Sequence, residues 1–368
     1  SQIEKFLFKG KILIIYGARQ VGKTTMVKGL LDKYADQVSY FNCEIIHVKQ
    51  ALEQQDPVVL KNFLGNGRLI VLDEAQKVAN IGLSLKLLID TYPDMQIIAT
   101  GSSSFDLSSK VNEPLTGRAL EFKLYPISLL ELEQVYHQRY ELPAMVEKML
   151  IYGSYPSVVL ADRQNTQTYL TNLSSKYLYK DVLSFENLKR PELLMNLLQM
   201  LALQIGGEVS THELAVSLQC GRDTVLRYLD LLEKSFVIFR LRPFSRNLRN
   251  EIGKKIKVFF YDLGVRNALI DRFSSLAVRD DVGALWENFC VLERIKSNQQ
   301  KGLYCNIYFW RNHAGKEVDY LEERDGKITA FEFKWGNVKY RAPEDFMKAY
   351  GVSEVKVINR ENLLEFIF

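Results

Sequence analysis

Short apolar runs alternate with segments of helical periodicity through the first third of the chain. Each run is bounded by glycine, acidic or hydroxyl residues, which is typical of buried strands. The predicted strands are Lys11–Tyr16, Val38–Phe41, Leu69–Leu72, Gln96–Thr100 and Leu120–Leu124. The segments predicted as helices between them are Met26–Tyr34, Val48–Leu64 and Leu83–Thr91. Strands that alternate with helices predict an α/β fold with a parallel sheet.

The first predicted strand leads into a glycine-rich loop. Residues Gly17–Thr24 fit the pattern G-x-x-x-x-G-K-[ST], with a strand before it and a helix after it, as in a phosphate-binding P-loop. Glycines let backbone N–H groups point at phosphate oxygens, and the N-terminus of the helix favours negative charge. Lys23 is expected to reach the β- and γ-phosphates of ATP, and the Thr24 hydroxyl to bind Mg2+. The predicted nucleotide contacts in this stretch are Gly17, Ala18, Arg19, Gln20, Val21, Gly22, Lys23, Thr24 and Thr25.

The third and fourth predicted strands end in polar side chains. Asp73 and Glu74 follow Leu72, and in open α/β sheets ligands bind at the carboxyl ends of the strands. Asp73 is therefore predicted to hold Mg2+, and Glu74 to act as the general base for the attacking water. Thr100 or Ser102 is expected to orient that water or to sense the γ-phosphate, although a helix cap explains either residue equally well.

Arg118 directly precedes the fifth predicted strand. An arginine at a sheet edge can act as an arginine finger in the site of a neighbouring subunit. A solvated arginine is the ordinary alternative.

These motifs together resemble the AAA+ superfamily of P-loop ATPases. More narrowly, they are similar to a prokaryotic group of predicted ATPases with a winged helix and a further C-terminal domain. The resemblance rests on Gly17–Thr25, Leu69–Glu74, Ala99–Ser104 and Thr116–Arg118. It implies a sheet order of 5-1-4-3-2 and homo-oligomerisation when nucleotide binds. It also raises Arg118 to an arginine-finger candidate, so the predicted catalytic residues are Lys23, Glu74 and Arg118.

A helix-turn-helix pattern follows in the middle of the chain. Two helices meet at Cys220-Gly221, and a strand begins near Phe236, which is typical of a winged helix. Basic residues are frequent from Arg240 to Lys257, as expected for a wing that contacts phosphates. The predicted DNA contacts are Arg222, Arg227, Arg246, Arg249, Lys254 and Lys255. Packing in cis and contact with another protein remain open alternatives.

The last third of the chain carries a second group of acids. Glu332 and Lys334 lie two residues apart on a predicted strand and so share a face, with Asp319 at the head of the paired strand. With Glu287 on a helix, they resemble the PD-(D/E)xK nuclease fold. That resemblance implies Mg2+ on Asp319 and Glu332, with Lys334 steadying the attacking hydroxide. Solvated cross-strand pairs are the alternative.

Composition and charge restrict the class of protein but indicate no particular chemistry. The 368 residues carry a net charge of +4, with 47% hydrophobic and 25% charged residues, as in an ordinary globular protein. Four scattered cysteines and the lack of any membrane-length apolar run predict a reducing, cytoplasmic setting without membrane contact. The expected domains are a P-loop core at 1–125, a helical lid at 126–162, a winged-helix region at 163–257 and a nuclease-like domain at 258–368.

Three functions follow from these patterns. The first is an ATP-driven switch or motor coupled to DNA. The second is a Mg2+-dependent DNA nuclease that ATP gates. The third is a regulatory or defence-type assembly protein that does not contact DNA.

Overall fold

The computed structural model of the protein describes residues 3–34, 37–102, 114–135, 141–160, 163–174, 190–245 and 255–368. The chain divides into two compact units. The first comprises Ser1–Pro126 with Lys234–Phe236, and the second comprises Ile127–Glu233 with Val237–Phe368.

The first unit is a parallel sheet with helices between its strands. Its strands are β1 (Ile12–Tyr16), β2 (Val38–Asn42), β3 (Leu69–Asp73), β4 (Gln96–Gly101) and β5 (Ala119–Lys123). Its helices are α1 (Lys23–Lys33), α2 (Ile46–Leu52), α3 (Pro57–Leu64) and α4 (Ile81–Thr91). The strand order is β2-β3-β4-β1-β5, and every neighbouring pair is parallel. The expected α/β class and the expected order 5-1-4-3-2 are therefore confirmed.

The middle of this sheet is the core of the first unit. Every residue of β1, β3 and β4 is buried, because helices cover both faces of a parallel sheet. This burial explains why β1, β3 and β4 are apolar runs in the sequence. Asp73, at the end of β3, and Glu74, directly after it, therefore lie at the carboxyl edge of the sheet.

The prediction of a single helix at Val48–Leu64 is wrong, because the structure has two helices there. The α3 helix begins at Pro57, because proline has no N–H group to donate to a carbonyl of a preceding helical turn. The Asp56 carboxylate caps α3 by accepting hydrogen bonds from the N–H groups of Val58 and Val59 at 2.8 and 3.1 Å.

The second unit holds one mixed sheet with helices around it. Its strands are β6 (Glu208–Val209), β7 (Ile238–Pro243), β8 (Ile256–Phe260), β9 (Asn306–Arg311), β10 (Glu317–Arg324), β11 (Lys327–Phe333) and β12 (Val355–Ile358). Its helices are α5 (Leu129–Val135), α6 (Leu142–Tyr152), α7 (Pro156–Val159), α8 (Arg163–Asn172), α9 (Pro191–Leu203), α10 (Thr211–Ser217), α11 (Arg222–Lys234), α12 (Leu263–Leu269), α13 (Val282–Lys301), α14 (Glu344–Tyr350) and α15 (Leu363–Ile367).

Two regions predicted as separate domains share this sheet. The strand order is β12-β11-β10-β9-β7-β8-β6. The antiparallel ribbon of β6, β8 and β7 joins the C-terminal strands because β7 pairs in parallel with β9, Arg242 opposite Tyr308. The ribbon therefore continues the C-terminal sheet.

The segment expected as a lid after the first sheet belongs to the second unit. The Asn267 side chain of α12 donates hydrogen bonds to the carbonyls of Leu150 and Ile151 at the end of α6. The N–H group of Ser154 donates to the buried Asp262 carboxylate at 2.7 Å. Gly153 precedes it with φ of +74°, and a Cβ there would lie 2.1 Å from Asp262 Oδ1, so the turn requires glycine.

Of the helices that the structure describes, none has the length and apolar character needed to cross a lipid bilayer. The four cysteines are free thiols, and Cys43 and Cys290 are buried.

Candidate functional site

The loop between β1 and α1 is shaped to receive an anion. Gly22 is the N-cap of α1 with φ of +101°, and it has no side chain to cap the first N–H groups. Those groups and the dipole of the helix favour negative charge at this end. A Cβ at Gly17 would lie 2.5 Å from the Leu124 carbonyl oxygen, so the chain passes too close for any side chain.

Lys23 lies inside this loop. Its side chain is buried, and Nζ donates hydrogen bonds to the carbonyls of Gly17 and Ala18 at 2.8 and 2.9 Å. The ammonium group is thus held within the curve of the loop. Thr24 and Thr25 follow in the first turn of α1, while Arg19, Gln20 and Val21 complete the loop.

Asp73 is the centre of the hydrogen-bonded group at the carboxyl edge of the sheet. Thr24 Oγ1 donates to its Oδ2 at 2.8 Å, and the Tyr40 hydroxyl donates to the same oxygen at 2.6 Å. The Thr100 hydroxyl donates to Oδ1. Because β3 lies between β2 and β4, the strand order brings Tyr40 and Thr100 to the two sides of Asp73. A carboxylate beside a threonine hydroxyl is a set of oxygen donors that suits Mg2+.

Glu74 is held in an uncommon conformation beside Asp73. Its φ is +55°, in the left-handed region that few residues other than glycine adopt. Its N–H group donates to Thr100 Oγ1 at 3.1 Å, and its Oε2 accepts from the Gln76 side chain at 2.5 Å. Gln76 also donates to Ser102 Oγ at 3.0 Å. Of the two expected strand-end residues, Thr100 contacts the acids directly and Ser102 contacts Gln76.

Tyr40 and Gln76 are members of this group that sequence reasoning missed. Gln76 follows Glu74 by two residues, a spacing that was available in the sequence. Tyr40 is two residues before the end of β2 and so shares a face with Asn42, which pairs with Asp73. Only the strand order shows that this face meets Asp73.

Two neighbours of the acids stay protonated at neutral pH. Burial raises the pKa of Tyr40, and its hydrogen bond to Asp73 raises the pKa further. Burial, together with the charges of Asp73 and Glu74, raises the pKa of the Cys43 thiol to about 12. Tyr40 therefore acts as a hydrogen-bond donor here.

Arg118 lies on the surface of the first unit. Its Nε donates to Asp90 Oδ1 at 2.6 Å, and both side chains are about 40% exposed. The hydrogen bond from Arg118 lowers the pKa of Asp90. An exposed pair of this kind contributes little to stability.

The middle region has the expected helices, with the Ser210 hydroxyl accepting a hydrogen bond from the N–H of Glu213 at the start of α10. Arg222 donates to Thr211 Oγ1 at 3.1 Å, and Arg227 lies over the Tyr228 ring. Lys255 is exposed and lies 3.5 Å from Glu208. Arg246, Arg249 and Lys254 fall outside the described residues.

Two basic residues of the expected wing pair with carboxylates, Arg240 half-buried and Lys257 buried. Arg240 forms ion pairs with Asp230 at 2.6 Å and with Glu233. Lys257 is 2% exposed and lies among carboxylates. Lys255 precedes β8 and is exposed, whereas Lys257 lies within β8 and meets carboxylates of α13 and β10.

The C-terminal acids do meet in space. Asp319 Oδ2 accepts a hydrogen bond from the Phe333 N–H at 2.9 Å, and Lys334 pairs with Glu332 at 2.6 Å. Burial raises the pKa of Glu287 to about 8 and that of Glu332 to about 7. Among the described residues, the carboxylates that lie close enough to share one ion belong to Glu287, Glu317 and Asp319. Glu317 was not expected, although it is two residues from Asp319 on the same face of β10.

Three family models match separate parts of the chain and together cover most of it. Residues 9–133 match the family model described as AAA domain. Residues 144–276 match a domain of unknown function (DUF8612), and residues 282–365 match another domain of unknown function (DUF4143).

Similar proteins occur in bacteria and archaea. An uncharacterized protein of Mycobacterium tuberculosis is 27% identical over 338 residues, which cover 91% of this chain and 72% of that protein. An uncharacterized protein of Methanocaldococcus jannaschii is 26% identical over 331 residues, which cover 78% of this chain and 69% of that protein.

Solved structures show only a weak likeness. The Thermotoga maritima RuvB Holliday junction branch migration motor aligns with a TM-score of 0.31 and 18% identity, covering 62% of this chain and 82% of that one. A structure of Drosophila ORC bound to DNA aligns with a TM-score of 0.24 and 10% identity, covering 72% and 91%. Likenesses this weak carry no argument about function. The parallel sheet, the P-loop and the match over residues 9–133 identify that part of the chain as an AAA-type P-loop domain, a fold that binds nucleotides.

Proposed function

We propose that the chain binds ATP with Mg2+ at the P-loop and hydrolyses it as a nucleotide-driven switch or motor. The observation that carries this proposal is the 2.8 Å hydrogen bond between Thr24 of α1 and Asp73 of β3, beside the buried amine of Lys23. The residues proposed to bind the metal and the triphosphate come from two different elements, helix α1 and strand β3.

Each residue has a distinct role in this proposal. The N–H groups of the loop and Lys23 bind the phosphates, while Thr24 and Asp73 hold Mg2+. Bound Mg2+ would neutralise charge on the phosphate oxygens. Glu74 accepts the proton of the attacking water, and its hydrogen bond from Gln76 orients the carboxylate. Arg118 is proposed to complete the site of a neighbouring copy in a homo-oligomer.

Phosphate release by the purified full chain tests this function. Glu74→Gln should still bind ATP, because glutamine keeps the size of the side chain, but should lose roughly 100-fold or more in rate because it cannot accept the proton. Glu44→Gln, an exposed carboxylate of the same unit, is the matched control and should hydrolyse ATP as the wild type does. Undiminished phosphate release by Glu74→Gln would contradict the assignment.

Coupling to DNA is the second part of the proposal. The helices α10 and α11, followed by the ribbon of β7 and β8, support a winged-helix interpretation. Exposed Arg222, Arg227 and Lys255 would contact phosphates there, with Arg246, Arg249 and Lys254 in the connection between β7 and β8.

The ATPase rate with and without DNA, measured beside the mass in solution with ATP, separates the alternatives. Stimulation by DNA together with assembly supports a motor on DNA. Assembly with ATP and no response to DNA would instead support the regulatory or defence-type assembly protein.

A further inference from the structure

Lys257 places a buried positive charge at the centre of the C-terminal acids. It lies on β8, and its side chain is 2% exposed. Its ammonium nitrogen lies 2.6 Å from Glu287 of α13 and 3.7 Å from Asp319 of β10, and it also pairs with Glu317 of β10. Burial opposes the charge, but these three carboxylates outweigh it and raise the pKa of Lys257.

The three acids that could share a divalent ion are thus the three that hold Lys257. Oxygen donors at this spacing suit Mg2+ or Mn2+ by chemistry. A divalent ion nevertheless does not fit these carboxylates in the folded chain, because the Lys257 ammonium group already pairs with all three. Arg311, 3.4 Å from Glu317, adds a second positive charge at the edge of the cluster.

One oxygen beside the cluster has no such partner. Glu332 is 5% exposed, and its Oε2 meets no hydrogen-bond donor among the described residues, while its Oε1 accepts from Lys334. Glu332 and Glu317 also line a cleft of about 620 Å3. The cleft connects these acids with solvent, Lys316, Lys334 and Arg341 also line it, and Glu332 Oε2 is a buried acceptor beside it.

We propose that Lys257 is a built-in cation that closes this acidic cluster to divalent metal ions. The cluster becomes a divalent-cation site only when Lys257 leaves it. In the folded chain, the Lys257 side chain instead ties β8 of the ribbon to α13 and β10. This inference concerns the C-terminal cluster and does not depend on ATP hydrolysis at the P-loop.

Mn2+ binding to the full chain without nucleotide tests the proposal, by electron paramagnetic resonance and calorimetry. The wild type should bind no Mn2+ that depends on Asp319. Lys257→Met should gain one site, at least about tenfold tighter than any wild-type binding, because the three carboxylates lose their cation. Asp319→Asn in the Lys257→Met background should abolish that site. Lys356→Met, at an exposed lysine of β12 in the same sheet, should bind Mn2+ as the wild type does.

A charge-matched variant keeps the test decisive if Lys257→Met does not fold. Lys257→Met combined with Glu287→Gln removes one charge of each sign and leaves Glu317 and Asp319 as ligands. It should also gain a Mn2+ site. Wild-type binding that Asp319→Asn removes would overturn the proposal. So would a folded Lys257→Met, or a folded charge-matched variant, that binds Mn2+ no better than Lys356→Met.

Discussion

The Tyr40 hydroxyl and Thr24 Oγ1 donate to the same carboxylate oxygen of Asp73, at 2.6 and 2.8 Å. Tyr40 comes from β2 and Asp73 from the neighbouring β3. Asp73 is therefore oriented by a strand that carries no part of the P-loop. We infer that Tyr40 is a positioning residue for the carboxylate that is proposed to hold Mg2+.

Tyr40→Phe should raise the Mg2+ concentration for half-maximal ATP hydrolysis by about tenfold, because a hydrogen bond to a charged group contributes roughly 1.5–3 kcal/mol. ATP binding without Mg2+ should not change. Phosphate release across a Mg2+ titration measures the shift. Tyr304→Phe, at a tyrosine that is 89% exposed, is the control. An unaltered Mg2+ dependence in Tyr40→Phe would refute the role.

Arg118 and its partner Asp90 offer a matched pair of variants. If Arg118 completes a neighbour's site, Arg118→Ala should slow hydrolysis by about a thousandfold, as removal of an arginine finger does. Asp90→Ala breaks the same surface pair but leaves the arginine, so its rate should stay close to that of the wild type. Phosphate release is measured at protein concentrations where the mass in solution shows assembly. Equal losses in both variants would mean that the pair matters only for local structure.

The proposed DNA surface predicts a change in salt dependence. Combined Arg222→Gln, Arg227→Gln and Lys255→Gln substitutions should lower the slope of log affinity against log salt by about 3, since each phosphate contact contributes about 0.9. Fluorescence anisotropy with a DNA duplex at several salt concentrations measures the slope. The control replaces Arg341, Lys348 and Lys356, which are exposed on the same unit, by glutamine. If both triple variants retain the wild-type slope, the surface does not bind DNA.

Asp262 predicts a pH dependence of stability. Its buried carboxylate accepts hydrogen bonds from the N–H groups of Ser154 and Val265 at 2.7 and 3.0 Å, and burial raises its pKa to about 6. The ordinary value is about 3.9, so the folded state binds the proton more tightly than the unfolded state does. The free energy of unfolding should therefore fall by about 3 kcal/mol as the pH rises from about 4 to above 6.

Denaturation of wild type and Asp262→Asn at several pH values checks this dependence. The variant loses one acceptor and should be less stable overall, but the contribution between pH 4 and 6 should disappear. Asp280→Asn, at an aspartate that is 81% exposed, should retain the wild-type profile. A profile for Asp262→Asn that parallels the wild type would show that Asp262 does not titrate in this range.

Local patterns determined much of the first unit. The P-loop at Gly17–Thr24 and the acids after Leu72 are recognisable because their chemistry depends on spacing within a few residues of one strand end. The five apolar runs became β1 to β5, and the three central strands β1, β3 and β4 are buried throughout because helices cover both faces of a parallel sheet. The end of α2 before Pro57 was equally visible in the sequence, where proline and a capping aspartate mark a new helix.

Pairings between distant segments could not be derived in this way. The meeting of Tyr40 with Asp73 depends on which strands are neighbours, and the pairing of β7 with β9 joins regions that composition separates. Lys257 shows the limit most clearly. Within the sequence it belongs to a basic stretch, but the packing of β8 beside α13 and β10 brings its side chain to Glu287 and Asp319. The sequence by itself determined which local motifs exist. The tertiary structure alone decided which charges meet, because electrostatic partners depend on distances in space and not along the chain.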